Sequence, residues 1–411
     1  MPEHYDSLET RDPAERERAL FAALSAHLAR AKQHAPGWAR ILAEVDPDAV
    51  TSRAALAKLP VTRKSDLTEL QKATRPLGGL NATSVEKLGK LFVSPGPIYD
   101  PEGHRRDWWR LARALFAAGF RAGDVAVNTF SHHFTPAGSM LESGALALGC
   151  AVVPTGVGQT EMQVATIADL RANAYMGTPS FLKLIVEKAD ELKADIRSLK
   201  KAAVGGEYLP PALRAAMGER GIRVIQSYAS ADLGLIAYES EALEGMILDE
   251  ALILEIVRPG TGDPVAEGEV GEVVITSFNA DYPLIRFGTG DLSAVLPGAS
   301  PCGRSNTRIR GWMGRADQTT KVKGMFVHPS QIAEVVKRHR EIAKARLVVD
   351  NPGGADRMTL HCEVAAASDA LKAAIEASIR DITKLRGEVA FRKPGELPND
   401  GKVVEDAKKY E

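Results

Sequence analysis

The sequence predicts an α/β protein: a large N-terminal domain of parallel-sheet βα layers with a β-rich subdomain, then a small α+β C-terminal lid domain. Three observations predict it. The chain has 411 residues, which suits one large domain plus a small one. From about residue 108, short β-branched apolar runs alternate with amphipathic runs, the pattern of βα units whose parallel strands are covered by helices on both faces. After Asp249 the pattern changes to β-branched runs separated by turn formers, and a last α/β unit follows from about 318.

The elements follow in order. Residues 14–31 carry apolar side chains at helical spacing, and Thr62 and Ser65 are placed to cap a short helix before Leu67. Residues 108–118 read as an amphipathic helix stopped by Gly119. Strands are expected at 125–129, 151–154, 201–204 and 222–226. The helices between them are expected at 138–148, 160–172, 179–192 and 210–218. Thr178 followed by Pro179 is a cap with proline in the first turn. Residues 252–257 and 270–276 are strands of the β-rich subdomain, which spans about 249–316. Beyond it a helix at 331–338, strands at 346–350 and 358–364, a helix at 368–384 and a strand at 389–392 make up the lid, 317–411.

Composition narrows the function. The chain is 45% hydrophobic and 26% charged, with 52 basic and 53 acidic residues. It offers no electrostatic case for nucleic acid or an anionic membrane as partner. Cys150, Cys302 and Cys362 give neither a disulfide framework nor a zinc spacing. The N-terminus is polar rather than a signal peptide, and no apolar run is as long as a membrane span, so a cytoplasmic protein is expected. Strand–helix alternation alone also fits a dinucleotide-binding dehydrogenase, but no GxGxxG follows a strand.

Four short stretches carry chemistry. In 226–234, Tyr228 stands at a strand's end with Asp232 four residues on. A tyrosine there can stack on adenine, and a carboxylate can hold a hard cation that bridges phosphates. A core tyrosine with a helix-capping aspartate is the plainer alternative. In 282–291, Asp291 follows a turn glycine, and an ionised carboxylate there can accept both hydroxyls of a ribose. A surface Gly-Asp turn is the alternative. Arg315, in Gly314-Arg315-Ala316-Asp317, is suited to a phosphate, or else belongs to a charged interdomain loop. Lys402, on a Gly-containing turn near the C-terminus, can reach a site once a lid closes, or is simply solvated.

In this order the four stretches resemble the adenylate-forming enzyme superfamily. Gly158-Gln159-Thr160-Glu161, Thr178-Pro179-Ser180 and Pro283-Leu284-Ile285-Arg286 are similar to its phenylacetate–CoA ligase branch. The resemblance runs from about residue 15 to the C-terminus. It implies an AMP-forming acyl- or aryl-CoA ligase that makes an acyl-adenylate from ATP and a carboxylic acid and then the thioester of coenzyme A. Its partners would be the acid, ATP and CoA, with Mg²⁺ as cofactor, and a homodimer is compatible with it. Carried over by position, Tyr228 would stack on adenine, with Gly205, Gly206 and Glu207 lining the base. Asp232 would be linked to Mg²⁺, Asp291 would hold the ribose, and Arg315 would approach the ribose or α-phosphate. Asp317 would be the hinge and Lys402 the adenylation lysine. The acid pocket would draw on His133, Phe134, Gly156 and Ala229, with Phe134 walling an aromatic ring and His132 or His133 meeting a carboxylate.

The sequence departs from the family at three places. Where the family has a Gly/Ser/Thr-rich phosphate loop ending in Gly-Lys-Pro, residues 92–103 carry Pro95 and Pro97, which lack N–H donors. Asp100 and Glu102 there would repel pyrophosphate, leaving Ser94, Gly96, His104 and Arg105 to meet phosphate. Ala229 stands where glycine usually follows the tyrosine, and Asp232 replaces a glutamate. The alternative to a ligase is a family member that binds nucleotide, CoA or an acyl ligand without ATP turnover, or one that transfers a preformed acyl group.

Overall fold

The computed structural model describes residues 3–316, 318, 320–322, 325–352 and 356–408. They form two compact units. The first contains the chain up to Leu254 with Ile275–Phe287 and Leu296–Trp312; the second contains Glu255–Val274, Gly288–Val295 and the chain from Met313 onward. Two stretches of the β-rich region are therefore counted with the C-terminal unit, where Val270, Leu292, Ala294 and Ala316 form a small buried cluster. No helix among the described residues is long and apolar enough to cross a membrane.

The first unit is built on a large mixed sheet. Its parallel half is ordered Arg223–Ser230, Lys201–Val204, Ala174–Gly177, Val125–Asn128, Ala151–Pro154. The register is regular: Val127 faces Tyr175 and Tyr175 faces Ala202. Helices Thr160–Asp169 and Pro179–Leu192 supply Val164, Ile167, Leu182, Ile185 and Val186 to the core beneath it. Thr178 caps the second helix by accepting from the Phe181 N–H, with Pro179 in the first turn, as the sequence predicts.

Two elements differ from expectation for visible reasons. The expected helix at 108–118 begins only at Leu111, because Arg110 takes a left-handed φ of 65°. Its guanidinium donates to Asp249 Oδ1 at 2.8 Å and to the Leu233 carbonyl at 2.6 Å. The strand expected at 222–226 runs to Ser230, because its second half pairs antiparallel with Gly234–Tyr238, Tyr228 facing Ala237. Gly234 begins that partner at φ 73°, where a Cβ would sit 2.6 Å from the Trp109 carbonyl, so only glycine fits.

Residues 92–103 form no open loop. Lys90–Ser94 and Ile98–Glu102 pair as an antiparallel hairpin with Phe92 facing Asp100. Val93 donates its N–H to the Phe134 carbonyl at 2.8 Å. Glu102 accepts from Trp109 Nε1 at 2.6 Å and Ser139 Oγ at 2.7 Å, with Lys90 Nζ at 3.3 Å. Glu102 is thus an anchor of the hairpin and does not point at a phosphate, which corrects the repulsion expected of it.

The N-terminal helix Pro13–His34 starts at Asp12, whose carboxylate accepts from the Ala14 and Glu15 N–H groups. The 283–286 motif secures this region. Trp38 Nε1 donates to the Pro283 carbonyl at 2.7 Å, and the buried Arg286 guanidinium donates to the Ala57 and Leu59 carbonyls at 2.8 and 2.5 Å.

In the second unit a four-stranded sheet is ordered Glu388–Arg392, Arg357–Val364, Ile342–Asp350, Val404–Asp406. Helices Pro329–Arg338 and Asp369–Thr383 bury Ile332, Val335, Ile375 and Ile379 against it. The strand Val404–Asp406, which carries the chain from Lys402 back into the sheet, pairs parallel with 347–349 and was not expected from sequence.

Candidate active site

In the first unit the predicted residues gather at the C-terminal edge of the parallel strands, the usual ligand edge of such sheets. Gly205 and Gly206 follow Lys201–Val204. A Cβ on Gly205 would lie 3.1 Å from the Ser227 carbonyl, and Gly206 has φ 76°. The pair therefore presents bare backbone, which fits the flat approach of a purine. Glu207 is held beside them: its Oε2 accepts from the Ser180 N–H at 3.3 Å, and its carbonyl accepts from Gln226 Nε2 at 2.8 Å. Tyr228 and Ala229 lie on the adjoining strand.

A cavity of about 170 Å³ opens at this edge. Its walls include Phe130, Met140, Leu141 and Ala229, with Gly205 and Gly206 on one side and Ser94 and Pro95 from the hairpin on another. Ala229 lines it as expected. His133, Phe134 and Gly156 do not. Phe134 has a left-handed φ of 61° and a side chain turned to solvent, 78% exposed; Phe130 is the aromatic wall. His132 is the more enclosed of the histidine pair. Its Nδ1 lies 3.7 Å from Glu142 Oε2, and burial holds its imidazole below the usual range. A β-strand end followed by an apolar Phe130 was the available signal for the wall residue.

Asp232 follows the strand in the turn 230–234. Its side chain is 0% exposed, and the Nζ of Lys64, whose side chain is 28% exposed, donates to Oδ2 at 2.5 Å. Asp100 on the hairpin is also 0% exposed. Burial first, and the Asp232 charge second, push the Asp100 carboxyl up to about 7. Among the described residues neither Asp100 oxygen nor Asp232 Oδ1 has a hydrogen-bond partner, and no group of three or more His, Cys, Asp or Glu is placed to hold a metal. A carboxylate already neutralised by an ammonium and shut from water does not fit the Mg²⁺ ligand expected at Asp232: a hard cation that keeps most of its own waters needs an open approach. The sequence reading missed Lys64, which lies far from Asp232 in the chain and belongs to no motif.

The second unit brings three other residues together. Asp291 and Arg315 face each other across an isolated antiparallel bridge, held by Ala316 N–H to Gly290 O at 2.7 Å and Leu292 N–H to Gly314 O at 2.8 Å. Arg315 Nη1 donates to Asp291 Oδ1 at 2.9 Å. Gly290 has φ 74°, and a Cβ there would lie 2.7 Å from Arg315 Nη2, so glycine makes the close approach available.

Lys402 is exposed and follows Gly401, φ 72°. Gln318 ties this turn to Arg315. Its Nε2 donates to the Gly401 carbonyl at 2.9 Å and to the Arg315 carbonyl at 3.4 Å, and its Oε1 accepts from the Val403 and Val404 N–H groups at 2.5 and 3.0 Å. Lys402 also borders a cavity of about 510 Å³ lined by Arg258, Lys337, Lys344 and Asn399. Gln318 was not singled out from sequence, because an isolated glutamine next to a charged loop carries no pattern. Asp317, the expected hinge, lies outside the described residues.

Comparison with known proteins places the chain among its relatives. Residues 104–280 match the family model described as AMP-binding enzyme. The chain is 32% identical over 336 residues to phenylacetate-coenzyme A ligase from Aromatoleum evansii, covering 78% of this chain and 74% of that one. It is 30% identical over 371 residues to the enzyme of the same name from Thermus thermophilus, covering 86% and 82%. Among solved structures, 2-hydroxyisobutyryl-CoA ligase in an open conformation with 2-HIB-AMP and CoA shares the fold, with a TM-score of 0.74 at 23% identity over 97% of this chain and 92% of that one. With a matched AMP-binding segment that includes the strands leading to Gly205, Gly206 and Tyr228, and with relatives at 30–32% identity over most of its length, the chain belongs to the phenylacetate–coenzyme A ligase family of adenylate-forming enzymes.

Proposed function

We propose that the protein is an AMP-forming acid–thiol ligase acting on an aromatic acid of the phenylacetate type, with ATP and CoA as co-substrates. The carrying observation is the apolar cavity at the sheet edge, walled by Phe130, Met140 and Leu141 and bordered by the bare backbone of Gly205 and Gly206. Such walls recognise an apolar or aryl body, and the glycines give a nucleotide base an approach beside it. Relatives named phenylacetate-coenzyme A ligase support the aryl reading.

In the first half-reaction a carboxylate oxygen of the acid attacks the α-phosphorus of ATP. The bond to the β-phosphate oxygen breaks, and pyrophosphate leaves. Tyr228 and Gly205–Glu207 take the base, Asp291 the ribose, and Arg315 the ribose or α-phosphate. Lys402 offsets the negative charge that builds as two anions meet. In the second, the CoA sulfur attacks the acyl carbon, AMP leaves, and the thiol gives up its proton. Asp317 is proposed as the hinge between the two stages. No step is routed through a metal at Asp232.

The hairpin at 90–102 bears on the alternative of a binding protein without ATP turnover. Its strands are paired, Val93 N–H is taken by Phe134, and Pro95 and Pro97 donate nothing. Grip on the β- and γ-phosphates must come from elsewhere, but adenylate contacts at Gly205, Gly206 and Asp291 do not depend on that loop. A pyrophosphate-release assay across aryl and aliphatic acids with Mg²⁺-ATP tests the proposal; AMP and CoA binding without release by any acid would favour the binding protein.

Two further outcomes follow. Asp291→Ala is expected to weaken AMP binding by about 1–3 kcal/mol, the scale for leaving polar groups unpaired; unchanged affinity by calorimetry removes Asp291 from the ribose. Ala229→Leu is expected to raise KM for aryl acids at least about tenfold by filling the cavity, with a smaller rise for short aliphatic acids. A uniform change across both acid classes places the acid elsewhere.

A further inference from the structure

The cavity of about 510 Å³ beside Lys402 lies wholly within the second unit. Lys402 apart, its lining takes no part in either half-reaction. Three segments build it: the loop 258–270, the helix Pro329–Arg338 and the turn 399–403. Each is pinned to another. Gly260 has φ 81°, and a Cβ there would lie 2.7 Å from the Ser330 backbone nitrogen, so glycine is what lets the loop meet the helix's first turn so closely. Asn399 accepts from the Val270 N–H at 3.3 Å and donates to the Gly268 carbonyl at 3.4 Å. The loop closes on itself, with the Arg258 N–H donating to the Asp263 carbonyl at 2.8 Å and Thr261 Oγ1 to the Arg258 carbonyl at 2.9 Å. The walls are set before a ligand arrives, which spares part of the ordering cost of binding.

The lining is amphipathic. Pro259, Val265, Ile332 and Val336 supply apolar wall. Four cations, Arg258, Lys337, Lys344 and Lys402, stand against three carboxylates, Asp263, Glu269 and Glu334. Glu334 pairs with Arg338, outside the lining, at 3.7 Å. Lys344 donates to the Pro398 carbonyl at 3.2 Å, a neutral partner that leaves its charge uncancelled. Among the described residues the side chains of Arg258, Lys337 and Lys402 engage no carboxylate. Four cations against Asp263 and Glu269 leave a surplus of two positive charges. Solvated lysines are common on any surface. These line one concavity, where apolar walls focus their field.

The surplus selects the ligand. A phosphomonoester carries about −1.5 to −2 charge near neutral pH, which matches it, whereas one carboxylate matches half. The apolar wall and the volume call for a body behind the phosphate rather than a bare ion.

We propose that this cavity is a second ligand site, taking an organic phosphomonoester with an apolar body, and that its occupant restrains adenylation by engaging Lys402. The restraint rests on reading Lys402 as the adenylation lysine. The backbone of its turn is tied through Gln318 to Arg315, while the residue borders the cavity. An anion in the cavity supplies the partner that the ammonium lacks. A lysine held there is withdrawn from the charge that adenylation builds, so the first half-reaction slows. Thioester formation, which does not use Lys402, keeps its rate.

The test uses the full chain and 1-naphthyl phosphate as probe. Naphthalene-1-sulfonate keeps the body with a single charge, and inorganic phosphate keeps the charge without the body. By calorimetry the probe is expected to bind at least about tenfold more tightly than either. Lys337→Met should weaken it about 5–20-fold, the cost of one charged contact at a partly exposed site. Lys337→Arg, which keeps the charge, should stay within about threefold of the native chain. Ala229→Leu, which fills the other cavity, should leave the affinity unchanged. Sulfonate bound as tightly as the probe, or an affinity indifferent to Lys337→Met, overturns the site. Displacement of the probe by AMP or CoA identifies one of the reaction's own phosphomonoesters as the occupant, and displacement by neither identifies a separate metabolite; both results keep the site. At saturation the probe should slow ATP–pyrophosphate exchange at least about fivefold, change thioester formation from supplied acyl-adenylate by less than about twofold, and lose its effect in Lys337→Met at the same concentration. A bound probe that leaves exchange unchanged overturns the restraint. Calorimetry needs no turnover, so a chain whose exchange survives Lys402→Ala removes the lysine reading and the restraint together, while the binding series still decides the site.

Discussion

Lys402→Ala is expected to slow acyl-adenylate formation by about 10²–10³-fold, the usual cost of removing one group aimed at transition-state charge. Thioester formation from supplied acyl-adenylate should change by less than about threefold. The asymmetry follows from the two reactions. Only adenylation brings two anions into contact, so only it needs an added positive charge where the carboxylate meets the α-phosphate. The second half-reaction starts from an acyl-adenylate in which that charge is already reduced. The structure shows how the ammonium is carried. Asp400, paired with Arg346, accepts the Lys402 N–H at 3.1 Å, and Gln318 takes the Gly401 carbonyl. The backbone of the turn is fixed while the side chain is exposed. Lys402→Arg keeps the charge with a different reach and should recover only part of the rate. ATP–pyrophosphate exchange reads the first half and thioester formation the second. If both fall together, Lys402 acts on the fold of its unit rather than on the chemistry.

The parts of this protein legible in its sequence were those governed by local rules. Thr178 before Pro179 marks a helix start whatever lies around it, and the parallel strands at 151–154 and 201–204 stand where the strand–helix alternation places them. Asp291 and Arg315 were also recognisable, because a turn glycine and a charged loop carry short patterns, and the backbone bridge then joins them. What escaped depends on residues distant in the chain. The stretch 92–103 was read only as a departure from the family's phosphate loop, because Pro95 and Pro97 lack N–H donors; that it forms a hairpin, with Pro97 in the turn and Pro101 within a paired strand, was not read from sequence. Glu102 looked like a charge facing phosphate until Trp109 and Ser139 were seen to engage it. Phe134 looked like an aromatic wall, but its left-handed backbone sends the ring to solvent and leaves that part to Phe130. Asp232 fitted a metal ligand by position alone; only the fold reveals that Lys64 has taken its carboxylate.

The second large effect is on stability, and its sign distinguishes a buried protonated carboxyl from an ordinary ion pair. Asp100 keeps its proton to about pH 7 in the folded chain, whereas an aspartate in an unfolded chain loses it near pH 4. Between those values the native state binds one proton more than the unfolded state. Stability therefore falls as pH rises, by about 1.4 kcal/mol per unit across that window, and levels off above it. A carboxylate stabilised by a salt bridge would do the reverse and lose stability on acidification. Asp100→Asn removes the titration while keeping the shape and a neutral polar group. Relative to the native chain it should gain little near pH 4 and about 2–4 kcal/mol above pH 7. The difference between the two pH values is the quantity to measure, because any fixed packing effect of the amide cancels from it. Urea unfolding followed by tryptophan fluorescence suits the test: Trp38, Trp108, Trp109 and Trp312 all belong to the first unit, so the signal reports the unit that contains Asp100. A native–variant difference that stays constant from pH 4 to pH 8 would mean that Asp100 is ionised throughout, and that Lys64 or some other group neutralises both carboxylates.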